Sequence, residues 1–86
     1  MPVAHVKIYT TGTCPYCVSA KTLLQSKKIT PTEVRIDKNA KDREEMIELT
    51  GKRSVPQIFI NNELIGGLDD LERLNDTGEL DELLRG

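Results

Sequence analysis

The only two cysteines of this 86-residue chain, Cys14 and Cys17, lie three positions apart in the stretch TCPYC. Two thiols at this spacing can bind a metal, form a structural disulfide or act as a reactive pair. A closed zinc site needs about four ligands, and the only other Cys or His in the chain is His5. A structural bridge would close a very short loop and remove little entropy from the unfolded chain. Both of these uses are therefore disfavoured.

The residues around Cys14 favour a reactive thiol. Pro15 fits the first position of a helix, where its missing N–H is not needed, so Cys14 directly precedes a helix. The unpaired N–H groups and the positive dipole end of that helix stabilise a thiolate. Cys17 shares the apolar helix face with Ala20 and Leu24, so a simple core role is an alternative for it. We expect Cys14 to be the nucleophile and Cys17 the protonated, resolving thiol.

A strand, a helix and a second strand position the two thiols. Residues 4–10 alternate in a strand pattern that ends just before the cysteine motif. The helix that begins at Pro15 follows, and residues 31–37 predict the second strand. Because a helix separates the two strands, we expect them to be parallel and joined by a right-handed crossover. This places Cys14 at the carboxyl end of the first strand.

The second half of the chain predicts a helix, a hairpin and further helix. Asn39 suits the N-cap of a helix over residues 40–50, which Gly51 ends. The expected apolar face of this helix consists of Met46, Ile47 and Leu49. The pair Asn61–Asn62 separates VPQIFI from ELIGG and predicts a two-residue hairpin turn. One broken or two short helices end the chain. The order β-α-β-α-β-β-α predicts a single α/β domain over residues 1–86, with a four-stranded mixed sheet between helices.

Composition limits the partners of this domain. The chain has twelve Lys and Arg residues and fourteen Asp and Glu residues. It has no Trp, and aromatic residues make up only 3% of it. No basic stripe or stacking platform therefore indicates nucleic-acid binding. No apolar run approaches the roughly 18 residues of a membrane span, and no leader pattern is visible, so we expect a cytoplasmic protein. In that reducing compartment a cysteine pair stays reduced unless it cycles.

Three motifs together resemble the glutaredoxin family, in particular its short bacterial dithiol type. They are CPYC at 14–17, SVPQIFI at 54–60 and GGLDD at 66–70, and the resemblance covers essentially the whole chain. It implies a thioredoxin-like fold, a cis peptide before Pro56 and glutathione as the electron donor. Thioredoxin proper is longer and carries a Trp-Cys-Gly-Pro-Cys motif, so it is the weaker match.

The resemblance also implies a glutathione site. The residue before a proline is extended, so the backbone of Val55 can pair with the ligand in strand-like fashion. The helix start after Gly67 can receive the γ-glutamyl carboxylate, and Asp69 its ammonium. The implied binding residues are Tyr16, Lys52, Arg53, Ser54, Val55, Pro56, Gly67, Leu68 and Asp69.

Simpler structural roles for these residues stay open. Val55 and Pro56 also suit a turn that enters a strand, and Gly67 suits a helix cap. Tyr16 would equally fit an exposed aromatic at a helix start. Lys52 and Arg53 suit a solvated surface pair, and the sequence leaves open which of them contacts the ligand's glycine carboxylate.

Thr11 departs from the family pattern, which usually has a lysine three residues before the first cysteine. The positive charge that could stabilise the Cys14 thiolate and bind the ligand is therefore missing at that position. We expect Thr11→Lys to favour the thiolate and to tighten glutathione binding, with alkylation rate as the measure.

The function expected from the resemblance is glutathione-dependent thiol–disulfide oxidoreduction, with Cys14 and Cys17 as catalytic residues. The expected partners are glutathione and disulfide-containing or glutathionylated proteins, with ribonucleotide reductase as one candidate. We expect a monomer without a metal site or tightly bound cofactor. One rival is an iron–sulfur carrier, in which two Cys14 thiolates and two glutathiones bridge a dimer, although Pro15 argues against it. Another is an electron carrier dedicated to one partner reductase.

Overall fold

A computed structural model gives the structure, and it describes residues 4–85. Eight elements follow one another in the order β-α-β-α-β-β-α-α. They are β1 (Val6–Thr10), α1 (Pro15–Ser26), β2 (Thr32–Arg35), α2 (Ala40–Thr50), β3 (Gln57–Ile60), β4 (Glu63–Gly66), α3 (Leu68–Thr77) and α4 (Glu79–Leu84). The predicted order is confirmed, and the final helical segment is divided into two helices. Gly78 divides it, with a φ of 83° that a glycine adopts without steric cost.

The four strands form one mixed sheet in the order β2-β1-β3-β4. β1 and β2 are parallel, as the helical crossover predicts, whereas β3 is antiparallel to both β1 and β4. The carboxyl end of β1 therefore lies at the same end of the sheet as the amino end of β3. This topology brings the loop that carries Cys14 to the loop that carries Pro56.

Helices cover both faces of the sheet. On one face α1, α3 and α4 pack against it. Their buried residues join the inward side chains of β1 and β3 in one cluster that includes Ile8, Ala20, Leu24, Ile58, Leu71 and Leu80. On the other face Met46 of α2 packs with Tyr9 and Ile36, and Phe59 lies edge-on to Tyr9 with the ring centroids 5.9 Å apart. Among residues 4–85 no helix has both the length and the apolar character needed to cross a membrane.

The predicted ends of α2 are confirmed, but its predicted apolar face is partly wrong. Asn39 Oδ1 accepts a hydrogen bond from Lys41 N–H at 2.9 Å, and Gly51 ends the helix at a φ of 70°. Leu49 is 54% exposed, whereas Met46 is buried and Ile47 packs beside it. Ile47 and Leu49 project to opposite sides of Met46, about 100° one way and about 60° the other, and only the Ile47 side meets the sheet.

The hairpin between β3 and β4 has the predicted two-residue turn. Asn61 and Asn62 both have positive φ, at 52° and 67°. This backbone twist matches the twist of the flanking strands and is the usual solution for a two-residue turn. Asn61 also binds the start of β1, because its N–H donates to His5 O at 2.8 Å and its Oδ1 accepts from His5 N–H at 3.0 Å.

Candidate active site

Cys14 is the N-cap of α1, so its sulfur lies at the start of the helix. The Cys17 N–H donates to Cys14 Sγ at 3.3 Å. On the other side, Cys14 Sγ lies 3.7 Å from the carbonyl oxygen of Val55. A helix N–H that points at sulfur stabilises negative charge on it, and the half-buried side chain is still reachable from outside. The Cys14 sulfur is therefore held at a helix start and stays accessible to a substrate.

Cys17 lies one turn further along α1 and is only 1% exposed. Both cysteines are free thiols. Burial, and secondly the hydrogen bond to Cys14, raise the pKa of Cys17 to about 12, although the N–H of Thr11 and the charge of Lys21 act in the opposite direction. Cys17 is therefore protonated at neutral pH, as its place on the apolar helix face predicted.

The loop before β3 forms the wall opposite Cys14. The peptide bond between Val55 and Pro56 is cis, which confirms the expectation from the family resemblance. Gln57 holds this loop from behind, since its Nε2 donates to Ser54 O at 2.9 Å and lies 3.3 Å from Ser54 Oγ. Only the NH₂ group of an amide can face a carbonyl oxygen, so these contacts fix the orientation of the side chain.

Gln57 lies inside the SVPQIFI motif but was not among the residues expected at the site. It is 2% exposed, and its Oε1 is buried without a hydrogen-bond partner among residues 4–85. A buried acceptor without a partner is rare and costly, which suggests a role beyond packing. The available signal was a glutamine at the start of an otherwise apolar strand, in the stretch QIFI.

The start of α3 forms the third side of the site. Gly67 is its N-cap, and the carboxylate of Asp70 accepts a hydrogen bond from Gly67 N–H at 3.1 Å. Gly66 has a φ of 120°, and a Cβ there would collide with this carboxylate, so glycine is needed for two reasons. The next N–H groups, of Leu68 and Asp69, have no acceptor within the helix and can receive an anion.

A cavity of about 350 Å³ lies between the Pro56 loop, the start of α3 and Tyr16 of α1, and Cys14 adjoins it through its contact with Val55. Its lining residues are Tyr16, Lys52, Ser54, Val55, Pro56, Gln57, Gly67, Leu68, Asp69 and Asp70. Eight of the nine residues expected to bind glutathione are thus brought together. The exception is Arg53, which is exposed and does not line the cavity. Gln57 and Asp70 join the set from the structure.

A charged clasp holds the loop that leads to Cys14. Asp37 accepts a hydrogen bond from Gly12 N–H at 3.0 Å, while Arg35 donates to both carboxylate oxygens at 2.8 and 2.7 Å. The Arg35 guanidinium and the Gly12 N–H hold the pKa of Asp37 well below its usual range. A Cβ at Gly12 would collide with Arg35, so a cation does lie against this loop, although Thr11 itself carries no charge.

Behind Cys17, a second polar cluster connects α1 with the sheet. Glu33 Oε2 accepts hydrogen bonds from Thr10 Oγ1 at 2.6 Å and from Lys21 Nζ at 3.0 Å. These two donors, the hydroxyl first, lower the pKa of Glu33. Thr10 is fully buried, so the cluster fixes α1 one turn after Cys17. Within residues 4–85 no three His, Cys, Asp or Glu side chains are placed to hold a metal ion.

Comparison with known proteins agrees with this geometry. The family model described as Glutaredoxin matches residues 6–65, which is most of the chain. The chain belongs to the glutaredoxin family. It is 54% identical over 83 residues to Glutaredoxin 3 of Escherichia coli strain K12, an alignment that covers 96% of this chain and 100% of the relative.

Other glutaredoxins give the same result. Glutaredoxin of Pseudomonas aeruginosa is 46% identical over 79 residues, with 92% of this chain and 94% of the relative covered. The solution structure of glutaredoxin from Brucella melitensis superposes with a TM-score of 0.85 at 43% identity, and the match covers 96% of this chain and 90% of that one. The thioredoxin-like fold is confirmed. Glutaredoxins are glutathione-dependent thiol–disulfide oxidoreductases, and this is the activity of the chain, with Cys14 and Cys17 as its redox-active pair.

Proposed function

We propose that Cys14 is the nucleophile of this activity and that the 350 Å³ cavity beside it binds glutathione. The observation that carries the proposal is the position of Cys14 Sγ, which lies between the start of α1 and the Val55 carbonyl 3.7 Å away. Val55 lines the cavity, so a ligand extended along this loop would bring its own sulfur to Cys14.

The proposed reaction exchanges one disulfide for another. The Cys14 thiolate attacks the glutathionyl sulfur of a mixed disulfide, and a new bond forms between Cys14 and glutathione. The original sulfur–sulfur bond breaks, and the substrate leaves as a thiolate that takes a proton from water. A second glutathione thiolate then attacks the glutathione sulfur on Cys14, which releases oxidised glutathione and restores the Cys14 thiolate. The N–H groups at the start of α1 stabilise the charge on Cys14 at both ends of the cycle.

Cys17 takes part when the substrate is a protein with a disulfide between two of its cysteines. The Cys14 thiolate attacks this disulfide and forms a mixed disulfide with one substrate cysteine, while the other substrate sulfur leaves as a thiolate that takes a proton from water. Cys17 then attacks the Cys14 sulfur, and its proton passes to the departing substrate sulfur. This step releases the second substrate thiol and leaves a Cys14–Cys17 disulfide, which glutathione reduces. Because Cys17 is buried and protonated at rest, it does not compete with Cys14 for the first attack.

Each charged end of glutathione has a complementary group in the cavity. The free N–H groups of Leu68 and Asp69 suit the γ-glutamyl carboxylate, and the Asp69 side chain suits the neighbouring ammonium. The backbone of Val55 suits the cysteinyl residue in the manner of an added strand. Lys52 lines the cavity and suits the glycine carboxylate, whereas Arg53 does not line it.

The direct test is turnover of a small glutathione mixed disulfide, coupled to glutathione reductase and NADPH. We expect activity in the wild type and in Cys17→Ser, and no activity in Cys14→Ser. Reduction of a protein disulfide through the Cys14–Cys17 pair should be lost in both variants. Equal loss of the small-substrate activity in the two variants would refute the division of labour between the thiols.

Lys52 and Arg53 offer a matched pair for testing the binding mode. Lys52→Ala removes a charge at the cavity and should raise the KM for glutathione by roughly 3- to 10-fold, the range of a charge-assisted contact at a partly exposed site. Arg53→Ala removes the same charge one residue away and should leave KM near the wild-type value. An equal effect of both substitutions would mean that only the general field of the basic pair matters.

The wider setting of the reaction is also a proposal. We infer that the protein acts as a monomer in the cytoplasm, without a tightly bound cofactor, on disulfide-containing or glutathionylated proteins such as ribonucleotide reductase. Support comes from the two free thiols and from the reducing conditions that such a dithiol cycle needs. Anaerobic purification should yield a colourless monomer, and a coloured dimer would favour the iron–sulfur alternative.

A further inference from the structure

A second cavity, of about 570 Å³, lies outside the site described above, between the edge strand β4 and helices α3 and α4. We call it the β4 groove. Its apolar lining consists of Leu64, Ile65, Leu74 and Leu83. Leu64 is 39% exposed, one of the most exposed large apolar residues of the described chain. The groove is larger than the proposed glutathione cavity and has no role in the chemistry of Cys14.

One wall of the groove is a strand edge. Within residues 4–85, β4 pairs with β3 alone, so its other edge has backbone N–H and C=O groups without strand partners. Such an edge accepts an additional strand from another chain, with main-chain hydrogen bonds for affinity and side-chain pockets for selectivity. The exposed leucine beside this edge would contact alternate side chains of an added strand.

The charges of the groove select its occupant. Glu63, Glu79 and Glu82 line it, and none of them forms a salt bridge with any residue of the described chain. The one basic residue of the lining, Arg73, is 3.3 Å from the carboxylate of Asp70 and is therefore compensated already. An acidic groove with aliphatic walls complements a segment that carries Lys or Arg between apolar residues, and disfavours an acidic one.

The groove also reaches the proposed glutathione cavity. Asp70 lines both, and the start of α3 lies against the Pro56 loop, because a Cβ on Gly67 would be 3.4 Å from Pro56 O. We propose that the β4 groove binds an extended basic and apolar segment of the substrate protein, next to the cysteine that Cys14 attacks. This inference rests on the proposed function and adds a class of protein substrate to it.

Binding can be tested separately from turnover. The probe is a short fluorescent peptide with alternating valine and lysine beside a serine in place of the reactive cysteine, and its counterpart has glutamate for lysine. We expect the basic peptide to bind at low salt and the acidic one not to bind. The double variant Glu63→Gln with Glu82→Gln should lower the affinity for the basic peptide by roughly 3- to 10-fold. Glu44→Gln with Glu48→Gln, on exposed α2 positions on the other side of the sheet, removes the same charge and should change little.

Two further measurements complete the test. Methylation of alternate backbone nitrogens in the basic peptide should weaken binding if it adds to β4 as a strand. In turnover, a second version of the basic peptide that keeps its cysteine and is glutathionylated on it should show a higher KM with the groove variant, and a small glutathione mixed disulfide should be unaffected. Equal affinity for both peptides, or equal effects of the two double variants, would overturn the groove proposal. Absence of turnover of the small mixed disulfide by the wild type would instead overturn the proposed function.

Discussion

At the scale of single residues, the site depends on how one loop is held beside one sulfur. The Val55 carbonyl accepts a hydrogen bond from the Cys14 thiol at 3.7 Å, and Gln57 helps to hold the loop that carries this carbonyl. The Gln57 amide binds Ser54 O directly before Val55, so it acts as a positioning residue for the loop. Its buried Oε1 has no hydrogen-bond partner within residues 4–85, so Gln57 holds the loop through its NH₂ group alone.

Gln57→Met tests this role, because methionine keeps the volume of the side chain and removes both polar ends. We expect the KM for glutathione to rise roughly 5-fold, the effect of one hydrogen bond of about 1 kcal/mol. The free energy of unfolding should change little or increase, since the unpaired acceptor is removed as well.

Ser54→Ala serves as the control for Gln57. It removes only the longer contact with Ser54 Oγ and keeps the carbonyl that Gln57 binds. Because Ser54 itself lines the cavity, the KM of this variant should rise somewhat, but less than that of Gln57→Met. A Gln57→Met protein with unchanged KM and lower stability would show that Gln57 is an ordinary core residue.

At the scale of elements, the connections after β1 and β2 act together. Asp37 follows β2 and binds both Arg35 and the N–H of Gly12, in the loop that leads from β1 to Cys14. The parallel pairing of the two strands brings these loops side by side. The pairing of β1 with β2 therefore helps to fix the position of the loop that leads to Cys14.

We expect Asp37→Asn to loosen this loop and to lower kcat/KM for a small glutathione mixed disulfide roughly 3-fold, as for other exposed charged contacts. The pKa of Asp37 lies well below its usual range, so the carboxylate stays ionised throughout mild acid. The ratio of wild-type to variant activity should therefore be constant between about pH 5 and pH 8. Asp76→Asn, on exposed residue 76 of α3, is the control. If both variants lose the same activity, net charge and not the clasp is responsible.

Local sequence signals predicted the elements because each signal acts within a few residues. Pro15 after Cys14 specified the helix start, and Asn61–Asn62 specified the turn. The clasp between Gly12 and Asp37 spans 25 positions and depends on the register of two strands, which no local pattern encodes. That Lys52 lines the cavity and Arg53 does not depends on the direction of the chain after Gly51, which the sequence does not encode locally; which of them contacts glutathione stays a prediction.

At the scale of the whole molecule, burial that prepares the thiols also sets the dependence of stability on pH. Cys17 is a weak acid whose folded pKa is raised to about 12 from 9.0. As pH rises, Cys17 therefore loses its proton in the unfolded chain before it does so in the folded protein. The free energy of unfolding consequently falls from about pH 9 upward. Burial likewise raises the pKa of Tyr9, and this residue adds to the alkaline loss. In acid, the lowered pKa values of Glu33 and Glu45 determine the trend. Their contribution to the free energy of unfolding is present above about pH 4 and is lost as pH falls below it.

These signs predict that the free energy of unfolding of the reduced protein is nearly constant between about pH 5 and pH 8 and falls above pH 9. Cys17 should lower the free energy of unfolding by roughly 1 kcal/mol for each pH unit between its unfolded pKa of 9.0 and its folded pKa of about 12. Urea unfolding at pH 7, 9 and 10 measures this loss.

Cys17→Ala is the control, because it has no thiol to ionise at this position. Its free energy of unfolding should fall less between pH 7 and pH 10 than that of the wild type. The variant is less stable at neutral pH because a buried group is lost. Parallel curves for the two proteins would mean that Cys17 ionises no later in the folded state than in the unfolded one. The buried thiol would then be deprotonated more readily than its surroundings indicate, and Cys17 could compete with Cys14 for the first attack.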